Sequence, residues 1–208
     1  MEAFTTLTGI AAPIDLPNVD TNQLCPTEFN KVPFGDPFYP KILFHYLRFN
    51  ADGTEIPDFV LNKEPYRNAK IIVADRNWGG GSSRESAVYA LMFFGVRCVI
   101  ASSFGDIHFN NCLQNGVLPV ILPQETVVKI RKQLHENPGT ELTVDLEYQT
   151  VRGPDNEVYK FDINPVPKRC LLNGLDAIQR TQQFQGKIDG FREKHRAKAD
   201  FLCTPGAA

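Results

Sequence analysis

An α/β fold built on a mostly parallel sheet is what this sequence predicts, and three observations predict it. Short apolar runs rich in β-branched residues recur at residues 70–74, 98–101 and 117–122, the mark of strands buried on both faces. Segments with helical spacing of apolar residues alternate with them, at residues 83–94 and 124–136. A glycine-rich stretch over residues 75–82 joins the first of these strands to the first helix, as in a βαβ crossover.

Each element has local reasons. In the 83–94 helix Ala87, Val88, Leu91 and Phe94 share one face, and Gly95 is placed to end it. Residues 107–113 read as a short helix stopped at Asn115-Gly116. Residues 124–136 carry Val127, Ile130 and Leu134 on one face and close at Pro138-Gly139. A two-strand unit is expected at residues 142–148 and 157–163, joined across Gly153-Pro154-Asp155-Asn156. Residues 1–65 are broken by Pro, Asn and Asp, and read as short strands, among them residues 4–7 and 42–47, between long loops. Helices fill the C-terminal region, with a frayed end.

The chain has 208 residues, 42% of them hydrophobic, enough for one sizeable core. A single domain over 1–208 with a helical extension from about residue 165 is expected. The net charge of −2 comes without a basic stripe, which argues against nucleic acid as a partner. No apolar run approaches the roughly 20 residues that span a bilayer. Met1-Glu2-Ala3-Phe4 does not begin a basic and then apolar leader, so the cytoplasm is the expected compartment. The five cysteines, Cys25, Cys98, Cys112, Cys170 and Cys203, are widely spaced with no C-x-x-C, so no zinc or iron–sulfur site is expected in this chain.

The chemistry concentrates in Trp78-Gly79-Gly80-Gly81-Ser82-Ser83-Arg84-Glu85. Three glycines permit positive φ angles and close approach of backbone to a ligand. The first amides of a helix lack internal partners and favour an anion, and Arg84 adds a planar fork for carboxylate or phosphate. Against this stands a structural reading in which Ser82 and Glu85, spaced S-x-x-E, form a capping box. The glycines and the arginine tilt the balance toward binding, and the two readings are compatible at different side chains. Neither G-x-G-x-x-G nor G-K-[ST] is present, which disfavours a nucleotide site.

Here the sequence resembles the small subunit of 3-isopropylmalate dehydratase, of the aconitase superfamily. The family turn G-x-G-S-S-R-E-H is matched by residues 79–85, and its N-x-D-T-D segment by Asn18-Val19-Asp20-Thr21. Residues 43–49 resemble its substrate-loop region. Residues 103–107 with Asn110-Asn111 match S-F-A-D-I-F-x-N-N, and residues 173–178 match N-G-L-D-x-I. The resemblance implies a swivelling β/β/α domain of the aconitase C-terminal type. It implies a separate large subunit, in a heterodimer or larger assembly, carrying a [4Fe–4S] cluster, with no cluster or metal bound by this chain. The implied reaction interconverts 2-isopropylmalate and 3-isopropylmalate, small dicarboxylic acids, by dehydration and rehydration in leucine biosynthesis.

By the same resemblance Ser82 is the base, acting as an alkoxide, and Ser83 and Arg84 hold a substrate carboxylate. Asp20 and Thr21 are implied pocket residues, with an Asx-type turn as the equal alternative. Arg48, between apolar neighbours, suits either a loop that reads a carboxylate and an alkyl group, which the resemblance favours as a substrate contact, or a surface arginine covering an aromatic ring. Asn110 and Asn111 read as capping or pairing residues, and His45 and His108 as structural or surface ones. The sequence departs from the family at Asn22 (for Asp), Ser86 (for His), Gly80 (where Cys is frequent) and Arg169 (for a His). Those departures leave two alternatives open: a hydratase small subunit for another malate derivative, such as 2-methylmalate or dimethylmalate, and a non-catalytic anion-binding paralogue.

Overall fold

Strand β1 (Thr6–Pro13) lies at the centre of a seven-stranded sheet and changes partner along its length. Its first five residues pair antiparallel with β5 (Glu141–Asp145), and Ala11–Pro13 pair parallel with β2 (Ile71–Val73). The sequence Thr-Leu-Thr-Gly-Ile-Ala-Ala-Pro shows why. The early residues alternate between exposed and covered faces, whereas Ala11 and Ala12 are small enough to be packed on both sides.

On one side of β1 the sheet continues in parallel through β2, β3 (Cys98–Ala101) and β4 (Leu118–Ile121). On the other it continues antiparallel through β5, β6 (Thr150–Arg152) and β7 (Val158–Lys160). The computed structural model describes residues 1–81 and 84–198. Among these no helix is long and apolar enough to cross a membrane.

The parallel half is enclosed on both faces, and the period-2 alternation of its strands divides the core in two. Ala11, Ile71, Val73, Cys98 and Ile100 face a core completed by Val127, Ile130 and Leu134 of helix α5 (Gln124–Glu136). Ala12, Ile72, Val99 and Ala101 face the opposite core. That second core is covered by α3 (Ser86–Phe94) and by short helical pieces of the first 66 residues, including α1 (Thr21–Leu24) and α2 (His45–Arg48). Helix α4 (Asp106–Asn115) connects β3 to β4. Helices α6 (Pro165–Leu172), α7 (Ala177–Gln182) and α8 (Gln185–Lys198) follow the antiparallel strands.

Three expectations change. Residues 42–47 are not a strand. Ile42, Leu43 and Phe44 are consecutively buried, a pattern no two-faced strand on a surface can give, and Phe44 enters α2 with φ +54°. The expected two-strand unit is a three-strand meander. The extra reversal turns on Gln149, at φ +54°, with Asp145 Oδ1 accepting the Tyr148 amide at 2.9 Å, and no Gly or Asn announces it. Helix α3 begins at Ser86, so Arg84 and Glu85 lie ahead of it.

Candidate active site

Beyond the end of β2 the chain runs between two neighbours that extend the parallel sheet pairing. On one edge the Gly79 amide donates to Val19 O at 2.7 Å, and the Thr21 amide donates to Gly80 O at 2.9 Å. On the other the Trp78 amide donates to Ser103 O at 3.0 Å and the Gly105 amide to Trp78 O at 2.8 Å. Asp20 pairs with Gly80, and Trp78 with Phe104, as single parallel bridges. The three segments containing Asn18–Thr21, Trp78–Gly81 and Ser103–Gly105 are among those singled out by the sequence, and here they are adjacent.

The turn is tightly held. Trp78 is fully buried, its ring edge-on to Phe44 at 5.9 Å. Gly79 has φ +73°, and a Cβ there would lie 2.2 Å from Cδ2 of His108. A Cβ at Gly105 would lie 2.6 Å from Gly79 O. These two glycines are therefore required by protein packing, the first against the imidazole of α4, the second against the turn's own carbonyl. Gly81 is different: it lines a cavity of about 200 Å³.

That cavity is lined by Asp20, Thr21, Asn22, Cys25 and Thr27 from one segment and by Gly81, Arg84 and Ser86 from the other. Three expected site residues, Asp20, Thr21 and Arg84, are thus brought together. Ser82 and Ser83 lie outside the described residues, in the stretch between Gly81 and Arg84, both of which line the cavity.

Asp20 also caps α1. Its carboxylate accepts the Gln23 amide at 2.7 Å while Gln23 Oε1 accepts the Asp20 amide at 2.9 Å, so the residue that lines the cavity also forms a capping box. Of the S-x-x-E pair, Ser82 lies outside the described residues. Glu85 stands at the N-cap without a side-chain cap bond. Its carboxylate accepts instead from the Tyr89 hydroxyl at 2.8 Å and from Asn115 Nδ2 at 3.3 Å. Burial and that carboxylate push the Tyr89 hydroxyl up to about 12.

Arg48 is a correction. It is buried, 6% exposed, and is not part of the cavity lining. Its Nε donates to Asn62 Oδ1 at 3.0 Å and its Nη1 to Pro40 O at 2.7 Å and Leu43 O at 3.2 Å. The guanidinium lies 5.0 Å from the Phe49 ring centre and 4.9 Å from that of Phe94. Burial lowers its pKa to about 10, so it stays charged at neutral pH while it ties the loop together. The guanidinium does lie over aromatic rings, but from the interior and not, as the alternative reading had it, at the surface.

Sequence reasoning flagged Asn22 and Ser86 only as departures and passed over Cys25 and Thr27. Ser86 Oγ donates to Asn30 Oδ1 at 2.7 Å, next to Cys25. Burial raises the Cys25 thiol, against smaller lowering effects from Ser86 and Arg84, which keeps it protonated.

A family profile described as the aconitase C-terminal domain matches residues 1–125, and a second, described as LeuD_N, matches residues 129–165. The 3-isopropylmalate dehydratase small subunit of Parvibaculum lavamentivorans is 50% identical over 194 residues, 93% of this chain and 96% of that one. The small subunit of the same name from Paramagnetospirillum magneticum is 49% identical over 202 residues, 97% of this chain and all of its own. This chain belongs to the family of 3-isopropylmalate dehydratase small subunits. A crystal structure of 3-isopropylmalate dehydratase from Methanocaldococcus jannaschii shares the fold, with a TM-score of 0.63 at 22% identity, covering 90% of this chain and 99% of that one.

Within that family fold, the donor set of the described residues is unsuited to an iron–sulfur cluster. No group of three or more His, Cys, Asp or Glu among them could hold a metal ion. Burial raises the Cys98 and Cys112 thiols, the opposite of what a thiolate ligand needs.

His108 gives the turn its floor. It is 1% exposed, its Nε2 is 3.5 Å from Cys112 Sγ, and its Nδ1 has no hydrogen-bond partner among the described residues. Burial lowers its pKa from 6.5 to about 4. Two outcomes are expected. Gly79→Ala should lower the urea midpoint sharply, by an amount equivalent to about 2 kcal/mol or more, since positive φ and a backbone-to-imidazole clash act together. Because the unfolded state binds the His108 proton more readily, its contribution is intact above about pH 6.5 and lost as pH falls toward 4. His108→Phe should therefore flatten the stability profile over that window by about 2–3 kcal/mol, read from urea unfolding of both proteins at pH 7 and 4.5.

Proposed function

We propose that this chain acts as the small subunit of a heteromeric hydro-lyase that interconverts 2-isopropylmalate and 3-isopropylmalate in leucine biosynthesis, in the cytoplasm. The observation that carries the reading is the convergence of Asp20, Thr21, Gly81 and Arg84 on one solvent-facing cavity, with residues 82 and 83 in the stretch between two of its lining residues.

The reaction removes a proton from one carbon and hydroxide from its neighbour, then adds both back in the opposite sense. A base and a Lewis acid are needed. A [4Fe–4S] cluster on the large subunit would supply the Lewis acid for the hydroxyl group. The remaining tasks fall to this chain. Ser82, as an alkoxide, takes the carbon-bound proton and later returns one. A serine is far too weak a base unless its anion is stabilised, and the sequence sets Ser82 directly after three glycines and two residues before Arg84, whose positive charge would favour that anion.

Arg84 and Ser83 hold a substrate carboxylate, the guanidinium by a planar two-donor fork. Asp20 and Thr21 shape the opposite wall. The partner is a cluster-bearing large subunit, and the ligand a small dicarboxylic acid.

Reconstitution with the large subunit under anaerobic conditions tests this. Ser82→Ala should lower kcat by on the order of 10²–10⁴-fold with an unchanged circular dichroism spectrum. Arg84→Lys should raise KM by about tenfold, because a point charge replaces the bidentate fork. Near-normal turnover of Ser82→Ala would remove serine from the base's role.

A further inference from the structure

One wall of the cavity carries a hydrogen-bond relay that the proposed mechanism leaves unused. Asn22 Oδ1 accepts from the Thr27 amide at 3.0 Å and from Thr27 Oγ1 at 2.9 Å. Thr27 Oγ1 in turn accepts from Arg84 Nη1 at 2.9 Å. The direction of each bond is fixed by chemistry. A guanidinium only donates, a carboxamide oxygen only accepts, and a hydroxyl between them must do one of each. The Thr27 proton therefore points to Asn22, which leaves its oxygen lone pairs toward Arg84.

The charge balance of this relay matters as much as its geometry. Asn22, Thr27 and Arg84 are all exposed to the cavity. Arg84 takes part in none of the ion pairs among the described residues. Among the described residues its hydrogen bond is to the neutral Thr27 hydroxyl, and the Asp20 carboxylate that lines the same cavity makes no ion pair with it.

We propose that Asn22 and Thr27 are positioning residues: as a neutral relay they fix Arg84 by one nitrogen and leave it outside any ion pair, with its other donors open to a substrate carboxylate. An exposed arginine otherwise populates many rotamers, and pre-ordering it moves part of the entropic cost out of the binding step. The inference rests on the carboxylate-binding role proposed for Arg84.

The test uses the reconstituted two-subunit enzyme and two variants, Thr27→Val and Thr27→Ser. Thr27→Val keeps the shape and removes the relay. It should raise KM for isopropylmalate about tenfold with kcat within about twofold of wild type. Thr27→Ser, which keeps the hydroxyl, should bring KM back to within about twofold. The same proteins are titrated calorimetrically with succinate, a dicarboxylate that has no hydroxyl to lose, and the affinities should follow the same order. An unchanged KM and succinate affinity in Thr27→Val would overturn the relay, as would equal losses in Thr27→Val and Thr27→Ser, which mark a purely structural residue. If wild type does not turn over isopropylmalate, the proposed function fails, and the succinate series still decides the relay.

Discussion

The close approach of Gly79 to its neighbours is the constraint from which the site follows. The glycine turn is held on one edge by the carbonyl of Val19, on the other by the backbone of Ser103 and Gly105, and from below by the ring of His108. Each contact is too short for a side chain at Gly79 or Gly105. The backbone is thereby fixed on three sides before it enters the stretch that carries the two serines.

The same three-way contact explains why the site draws on distant parts of the sequence. The extended sheet pairing beyond β2 places the 18–21 and 103–105 segments beside the turn, and α1 then carries the chain from Asp20 to Cys25 and Thr27 along the cavity wall. Trp78 anchors the arrangement in the core that Phe44, Leu91 and Val99 also share. Arg48 serves the adjacent loop from within. Its three hydrogen bonds tie Pro40, Leu43 and Asn62 together and its guanidinium lies over Phe49 and over Phe94 of α3, so a buried charge works as an internal tie.

Apart from Asp20 and Arg84, the polar lining of the cavity is uncharged. Asn22 bonds to Thr27, Thr27 to Arg84, and Ser86 to Asn30 beside the lining, while Cys25 is held protonated by burial. The departures of Asn22 and Ser86 from the family motif therefore do not leave broken contacts. Each has found a neutral partner.

By itself the sequence determined the alternation of buried strands and amphipathic helices, down to the bounds of α5, because these follow from periodicity, which is local. It also marked the glycine turn, Asp20, Thr21 and Arg84, because unusual residue types were concentrated in short motifs. The meander reversal at Gln149, the helical turn at residues 45–48, the interior place of Arg48 and the parts played by Thr27, Asn30 and His108 were settled only by the tertiary structure. Common residues such as threonine, asparagine and histidine acquire a task from what packs beside them. Here that neighbour is up to 57 residues away along the chain, beyond the reach of any local pattern.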